Sequence, residues 1–209
     1  NPGDQAKRIN RTAQECGGRI IAIDLVSLDI NLASLDPEVA QRSVELYRRA
    51  LDFGLSVGCE SLTVNSGRVS ALLPPPDDRI VVAYRRSLEQ IAYEVKQAGK
   101  RILLENIPGS LLAKASDTKA FLDEEDYGVI DVLFDVTNAL GANDEPMAGI
   151  ELLADRIGLM HLSDAPRGAW RHDPIGSGDV DFSSLLKTIQ KVGFAGPLVI
   201  EALDDAPQH

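Results

Sequence analysis

Basic residues, histidines, cysteines and long apolar runs are all scarce in this chain. Lys and Arg total 21 against 32 Asp and Glu, a formal net charge of −11 over 209 residues. The basic residues that cluster, Arg48 with Arg49 and Arg85 with Arg86, read as helix-surface decoration and not as a stripe. Such a balance repels a polyanion and argues against a nucleic-acid partner. No run approaches the roughly 18 to 20 apolar residues of a membrane span. The chain opens on Asn1 with no basic stretch leading into an apolar one, so no secretory signal is expected and a cytoplasmic location is. Cys16 and Cys59 stand in unrelated segments without metal-ligand spacing and are expected as buried or partly buried reduced thiols. Neither GxGxxG after the first apolar run nor GxxxxGK[ST] occurs, which removes the dinucleotide and phosphate-loop signatures.

What is present is an alternation. Six short, nearly continuous apolar runs, rich in β-branched residues, are "RIIAIDLV" (19–26), "SLTVN" (61–65), "RILLEN" (101–106), "VIDVLFDV" (129–136), "IGLMHL" (157–162) and "PLVIE" (197–201). Runs of this kind are expected as strands of a parallel sheet, buried on both faces. Helical patterns fill the gaps. "LDPEVAQRSVELYRRALDFGLSVG" starts with Asp36 as N-cap and Pro37 at the first helical position, and "DDRIVVAYRRSLEQIAYEVKQAG" stops at Gly99. "PGDQAKRINRTAQECGG", "SDTKAFLDEEDYG", "DEPMAGIELLADRIG" and "DFSSLLKTIQKVGFAG" supply the others. The proline run "LLPPPDD" (72–78) is expected as a rigid loop before a helix. Alternating strands and helices without a linker imply an α/β fold with a parallel sheet, either open or closed into a barrel. The missing phosphate motifs favour the barrel.

Four runs end in a residue able to bind a metal or move a proton: Glu105 in "LLEN", Asp135 in "LFDV", His161 in "LMHL" and Glu201 in "LVIE". Their spacing of 30, 26 and 40 positions is about one strand–helix unit each. In a parallel barrel the C-terminal strand ends converge on one rim, so these side chains would share a centre. Any one acid at a strand end also serves as an N-cap for the next helix. Four together, each behind an apolar run where an unpartnered charge is costly, argue for a site. Three carboxylates and a neutral imidazole suit one divalent ion, Mn²⁺, Mg²⁺, Co²⁺ or Zn²⁺.

The order Glu, Asp, His, Glu at strand ends resembles the xylose isomerase-like TIM-barrel superfamily in its sugar isomerase/epimerase branch. That branch also includes inosose dehydratases and isomerases, and it is related to endonuclease IV-type DNA repair enzymes. The motifs "LLEN", "FDVTN", "HLSD" with Arg167, "HDPIGSGDVDF" and "GPLVIE" carry the resemblance over about residues 19 to 201. It implies a (β/α)8 barrel and makes Glu105, Asp135, His161 and Glu201 the ligands of one metal. It further implies that Glu105 and Glu201 are an acid/base pair beside a carbonyl, with the metal stabilising an enediolate. Arg167 matches a substrate-binding arginine. Asn138 and Asn65 stand where relatives carry histidine; asparagine can bond a hydroxyl but ligates zinc poorly. A trinuclear zinc centre of the DNA-repair kind needs more than His161, His172 and His209, and Trp170 stands where its loop aspartate belongs.

The loop after His161 reads as part of the substrate site. His172 either packs within the loop on backbone hydrogen bonds or contacts substrate at the mouth, beside Trp170, whose ring would pack on a sugar face. Asp164 would orient the loop, the glycines of "IGSGDVDF" would serve the turn, and Asp181 would cap the last helix. Aligned by motif, residues 1–209 form one barrel domain lacking its first two strands, so the chain is expected to be N-terminally incomplete. The expected function is a divalent-metal-dependent isomerase or epimerase of a sugar or keto-sugar. A lyase or dehydratase on a keto-sugar or cyclic polyol, and a non-catalytic sugar-binding subunit, are the alternatives. The expected partner is a small sugar or polyol, with no nucleic acid and no membrane, and a homo-oligomer is left open.

Overall fold

The computed structural model describes residues 1–25, 29–70, 77–124 and 127–203. The end of "RIIAIDLV", most of the proline run and His209 lie outside the described residues. Among those described, the elements run α1 (Pro2–Glu15), β1 (Ala22–Ile23), α2 (Pro37–Ser56), β2 (Ser61–Asn65), α3 (Asp77–Gln97), β3 (Arg101–Glu105), α4 (Ala115–Glu124), β4 (Ile130–Asp135), α5 (Val136–Gly141), α6 (Pro146–Leu152), β5 (Ile157–Leu162), α7 (Phe182–Lys191) and β6 (Leu198–Ile200). This is the α/β alternation that the apolar runs predict. The chain divides into two compact units, Asn1–Leu104 with Tyr127–Ile130, and Glu105–Asp126 with Asp131–His209.

In the first unit the strand order follows the chain from β1 to β3, with β1 and β2 parallel through Ala22–Ser61 and Ile23–Leu62. Helix α2 begins as its residues require: the Asp36 carboxylate accepts the Glu38 and Val39 N–H groups, and Pro37 takes the first turn. Its buried stripe, Val44, Tyr47 and Leu51, keeps helical spacing, and every residue of β2 is buried. Cys59 packs with Ala6 and Val57 against Ile20, Ile23 and Phe53, and burial pushes its thiol above the ordinary range. Cys16, by contrast, is exposed, which corrects the expectation that both thiols are sheltered; it caps the C-terminus of α1, beyond the packed face.

In the second unit β4, β5 and β6 are parallel and follow chain order. Two departures from the sequence reading occur here. The run "VIDVLFDV" does not stay extended to Val136: the Asp135 carboxylate accepts the Asn138 N–H and turns the chain into α5. The run "PLVIE" is not buried on both faces: Leu198 and Ile200 of β6, an edge strand among the described residues, are exposed. Among the described residues no helix is long and apolar enough to cross a membrane.

Helix α6 reaches β4 through Gly149. A Cβ there would lie 2.8 and 2.9 Å from Phe134 ring atoms and 3.2 Å from the Ala115 Cβ. Replacing glycine by alanine in a helix gains about 1 kcal/mol of propensity, but an overpacked core loses typically ~1–3 kcal/mol. Phe134 is itself fully buried, so the clash prevails. Gly149→Ala is therefore expected to lower the thermal unfolding midpoint; an unchanged or higher midpoint by calorimetry would show that the contact yields.

Candidate active site

Strand ends deliver all four predicted residues to one place, entirely within the second unit. Glu105 closes β3, Asp135 closes β4, His161 is the penultimate residue of β5, and Glu201 follows β6 directly. The parallel register sets Asp135 opposite His161 and His161 opposite Val199. The Glu201 N–H donates to the Leu162 carbonyl at 3.0 Å and carries the pairing one residue past β6. One ligand atom from each of the four lies within 4.8 Å of all the others. From His161 Nδ1, Glu201 Oε2 is 2.7 Å away, Asp135 Oδ2 3.7 Å and Glu105 Oε1 3.9 Å.

Asp135 fills both roles open to a strand-end acid. Its Oδ1 accepts the Asn138 N–H at 2.6 Å and the Thr137 hydroxyl at 2.9 Å, which caps α5. Its Oδ2 is buried, has no hydrogen-bond partner and faces the two imidazoles. Burial pushes the Asp135 carboxyl up to about 6; the charges of His172 and His161 and the Asn138 N–H oppose the rise, and Glu201 adds to it. Glu201 moves the other way. Burial resists its ionisation, but the His161 contact and the His172 charge outweigh that and hold it below the usual carboxylate range. A buried oxygen without a partner, set among two further carboxylates and an imidazole, is a donor set that could hold a divalent cation.

The surroundings contain side chains that sequence reasoning missed. Asn106 clamps the Asp135 backbone from both sides: its Nδ2 donates to the Asp135 carbonyl at 3.1 Å and its Oδ1 accepts the Asp135 N–H at 2.8 Å. The signal was available, since a polar residue follows Glu105 directly in "LLEN". Thr137 Oγ1 and Ser163 Oγ bond at 2.8 Å and lie 3.3 and 3.1 Å from His172 Nδ1. No local pattern marks that trio.

The predicted substrate residues divide. His172 sits deeper than a residue at the mouth, with Nδ1 3.6 Å from Glu201 Oε2 and 3.8 Å from Asp135 Oδ2. Asn138 is buried beside the cluster, and its Nδ2 donates to Glu105 Oε1 at 3.2 Å. Trp170 is half exposed, and its indole N–H donates to Asn138 Oδ1 at 2.8 Å. The Arg167 guanidinium instead pairs with the exposed Glu145 carboxylate at 2.7 and 3.4 Å. Asn65 belongs to the first unit, where its Oδ1 accepts the Gly67 N–H at 2.9 Å.

The sequence matches the family described as xylose isomerase-like TIM barrel over residues 2–209. An uncharacterised protein of Methanocaldococcus jannaschii is 25% identical over 179 residues, 83% of this chain and 61% of that protein. The L-ribulose-5-phosphate 3-epimerase UlaE of Salmonella paratyphi C is 20% identical over 178 residues, 85% of this chain and 62% of the relative. The chain thus spans about three fifths of the length of these relatives. A crystal structure of a D-tagatose 3-epimerase-like protein superposes with a TM-score of 0.87 at 23% identity, covering 95% of this chain and 76% of that one.

The loop bearing Trp170 and His172 is tied at its base. Asp164 and Asp173 exchange backbone hydrogen bonds at 2.9 and 2.7 Å. The buried Asp164 carboxylate accepts the N–H groups of Ala165, Gly176 and Val180 at 2.9 to 3.1 Å. Gly178 is required by close approach, because a Cβ there would lie 2.4 Å from Asp164 Oδ1. Burial resists ionisation of Asp164, and the backbone N–H groups of Gly178, Val180, Gly176 and Ala165 overcome it and hold the carboxyl below its ordinary value. A depressed carboxyl contributes stability that is fully present above the unfolded value near pH ~3.9 and lost as pH falls through the folded one. The protection of the Gly176 and Val180 amides, relative to their intrinsic exchange at each pH, is thus expected to hold from pH 7 to 5 and to fall only in more acid solution. Asp164→Asn, which turns a donor toward one of those N–H groups, is expected to cost roughly 1–3 kcal/mol of loop closure. Wild-type protection in that variant would remove Asp164 from this role.

Proposed function

The chain belongs to the xylose isomerase-like TIM barrel family, and on that premise we propose that it epimerises or isomerises a keto-sugar by moving a proton at the carbon beside the carbonyl. The observation that carries this reading is the convergence of Glu105 and Glu201 on one centre from the ends of different strands. The epimerase names of a relative and a structural neighbour support it. One carboxylate removes the proton and the other returns one, and the face of return decides whether configuration changes. Glu201, held ionised beside His161, is suited to accept the proton, while Glu105 is oriented by the Asn138 amide. Asp135 and His161 complete the ligand set for one divalent cation, whose chemistry when bound is to polarise the carbonyl and stabilise the negative charge left by the departing proton. His172, at the inner side of the loop, is placed to bond a substrate oxygen, and the exposed face of the Trp170 ring to pack on the sugar.

Incubation with L-ribulose 5-phosphate or D-tagatose in D₂O is expected to place deuterium on the carbon next to the carbonyl without loss of water. A product lacking one water would replace the epimerase reading by a dehydratase. Glu201→Gln is expected to abolish turnover and exchange while the unfolding midpoint stays near wild type; full activity in that variant would sink its role as a base.

The cation has its own expected signature. Metal ligands must be deprotonated, and Asp135 loses its proton near pH 6. The rise in unfolding midpoint on adding Mn²⁺ should therefore be larger at pH 7 than at pH 5. It should vanish in Asp135→Ala. An equal rise at both pH values, or one surviving that substitution, would place the ion elsewhere.

A further inference from the structure

Trp170 lies on the loop between two fixed points. The Asp164–Asp173 backbone pair closes its base, and the Leu203 N–H donates to the His172 carbonyl at 2.7 Å. Its backbone rests on α5 at Gly141, where a Cβ would lie 3.3 Å from the Trp170 Cα and 3.4 Å from its Cβ. Although its side chain is half exposed, the indole N–H points inward to Asn138 Oδ1 at 2.8 Å, and Asn138 Nδ2 reaches Glu105 Oε1 at 3.2 Å. An asparagine amide can present either end to a neighbour. An indole nitrogen is a donor only, so it accepts no arrangement except the one with the amide oxygen toward it. The amide nitrogen is then turned to Glu105 and donates to its carboxylate. An Asn138 side chain flipped the other way would set one donor against another and one lone pair against a carboxylate.

We propose that Trp170 is a positioning residue for Glu105, acting through Asn138: the seat of the loop fixes the amide, and the amide fixes the carboxylate. Only the catalytic consequence rests on the reading of Glu105 as a proton-transfer group; the coupling itself does not. Substrate stacking on the tryptophan ring and positioning by its N–H are separable, because phenylalanine keeps an aromatic face and loses the donor.

The test uses two readouts. Trp170 is the sole tryptophan of the chain, so the protein has one indole N–H resonance. In Glu105→Gln that resonance is expected to shift, and the same substitution made in an Asn138→Ala background is expected to leave it unmoved. Asn138→Ser, too short to bridge, is the second background if the alanine variant fails to fold. In kinetics, Trp170→Phe is expected to lower kcat by up to about tenfold, the upper end for one neutral hydrogen bond, with KM little changed. Combined with Asn138→Ala it should be no worse than Asn138→Ala alone. An indole resonance indifferent to Glu105→Gln, or losses that add in the double variant, would overturn the proposal. If no keto-sugar is turned over, the functional reading fails while the resonance experiment still decides the positioning.

Discussion

Like charge brought together where water is scarce is the constraint on which the second unit is organised. Three carboxylates offer oxygens within 4.8 Å of one another, and Asp135 and Glu105 are buried. Two unit charges at about 4 Å repel by about 4 kcal/mol at an effective dielectric of ~20, and each also loses hydration. The surroundings distribute that cost atom by atom. The first turn of α5 takes one oxygen of Asp135, the Asn138 amide takes one of Glu105, and His161 faces Glu201. The remaining Asp135 oxygen has no hydrogen-bond partner and is available to a cation that the four side chains could hold.

The same constraint explains why so much of the neighbourhood is polar and hydrogen-bonded. Asn106 holds the Asp135 backbone through both ends of its amide, and Thr137 and Ser163 bond to each other beside His172. Polar groups in such a setting stabilise only if each has a partner. Farther out, Asp164 gathers the backbone N–H groups of the 176–180 turn, which holds the loop that carries Trp170 and His172.

Residue order was enough to bring the chemistry-bearing residues to the strand ends. Glu105, Asp135 and His161 follow apolar runs whose composition admits little but buried β-structure, and the strand spacing alone argues that they meet. The caps of α2 and α7 are equally local, since Asp36 and Asp181 accept N–H groups two or three residues ahead. The edges of elements were less legible. Val136 belongs by composition to its strand, yet the Asp135 carboxylate captures the Asn138 N–H and starts a helix one residue earlier than apolar periodicity implies. The exposure of β6 depends on which neighbours the sheet has, which no run of five residues contains.

The sequence by itself determined the α/β alternation and the four residues at the strand ends, because these depend on composition and on separations of one strand–helix unit. Tertiary structure alone decided the rest of the site. Trp170 and Asn138 are 32 positions apart, Arg167 and Glu145 are 22, and Thr137 and His172 are 35. Such pairs answer to the path of a loop and the packing of a short helix. That is why Arg167, which by motif belongs with the substrate, is held by a surface glutamate, while Trp170, read only as a ring, donates its N–H to the Asn138 amide that in turn donates to Glu105.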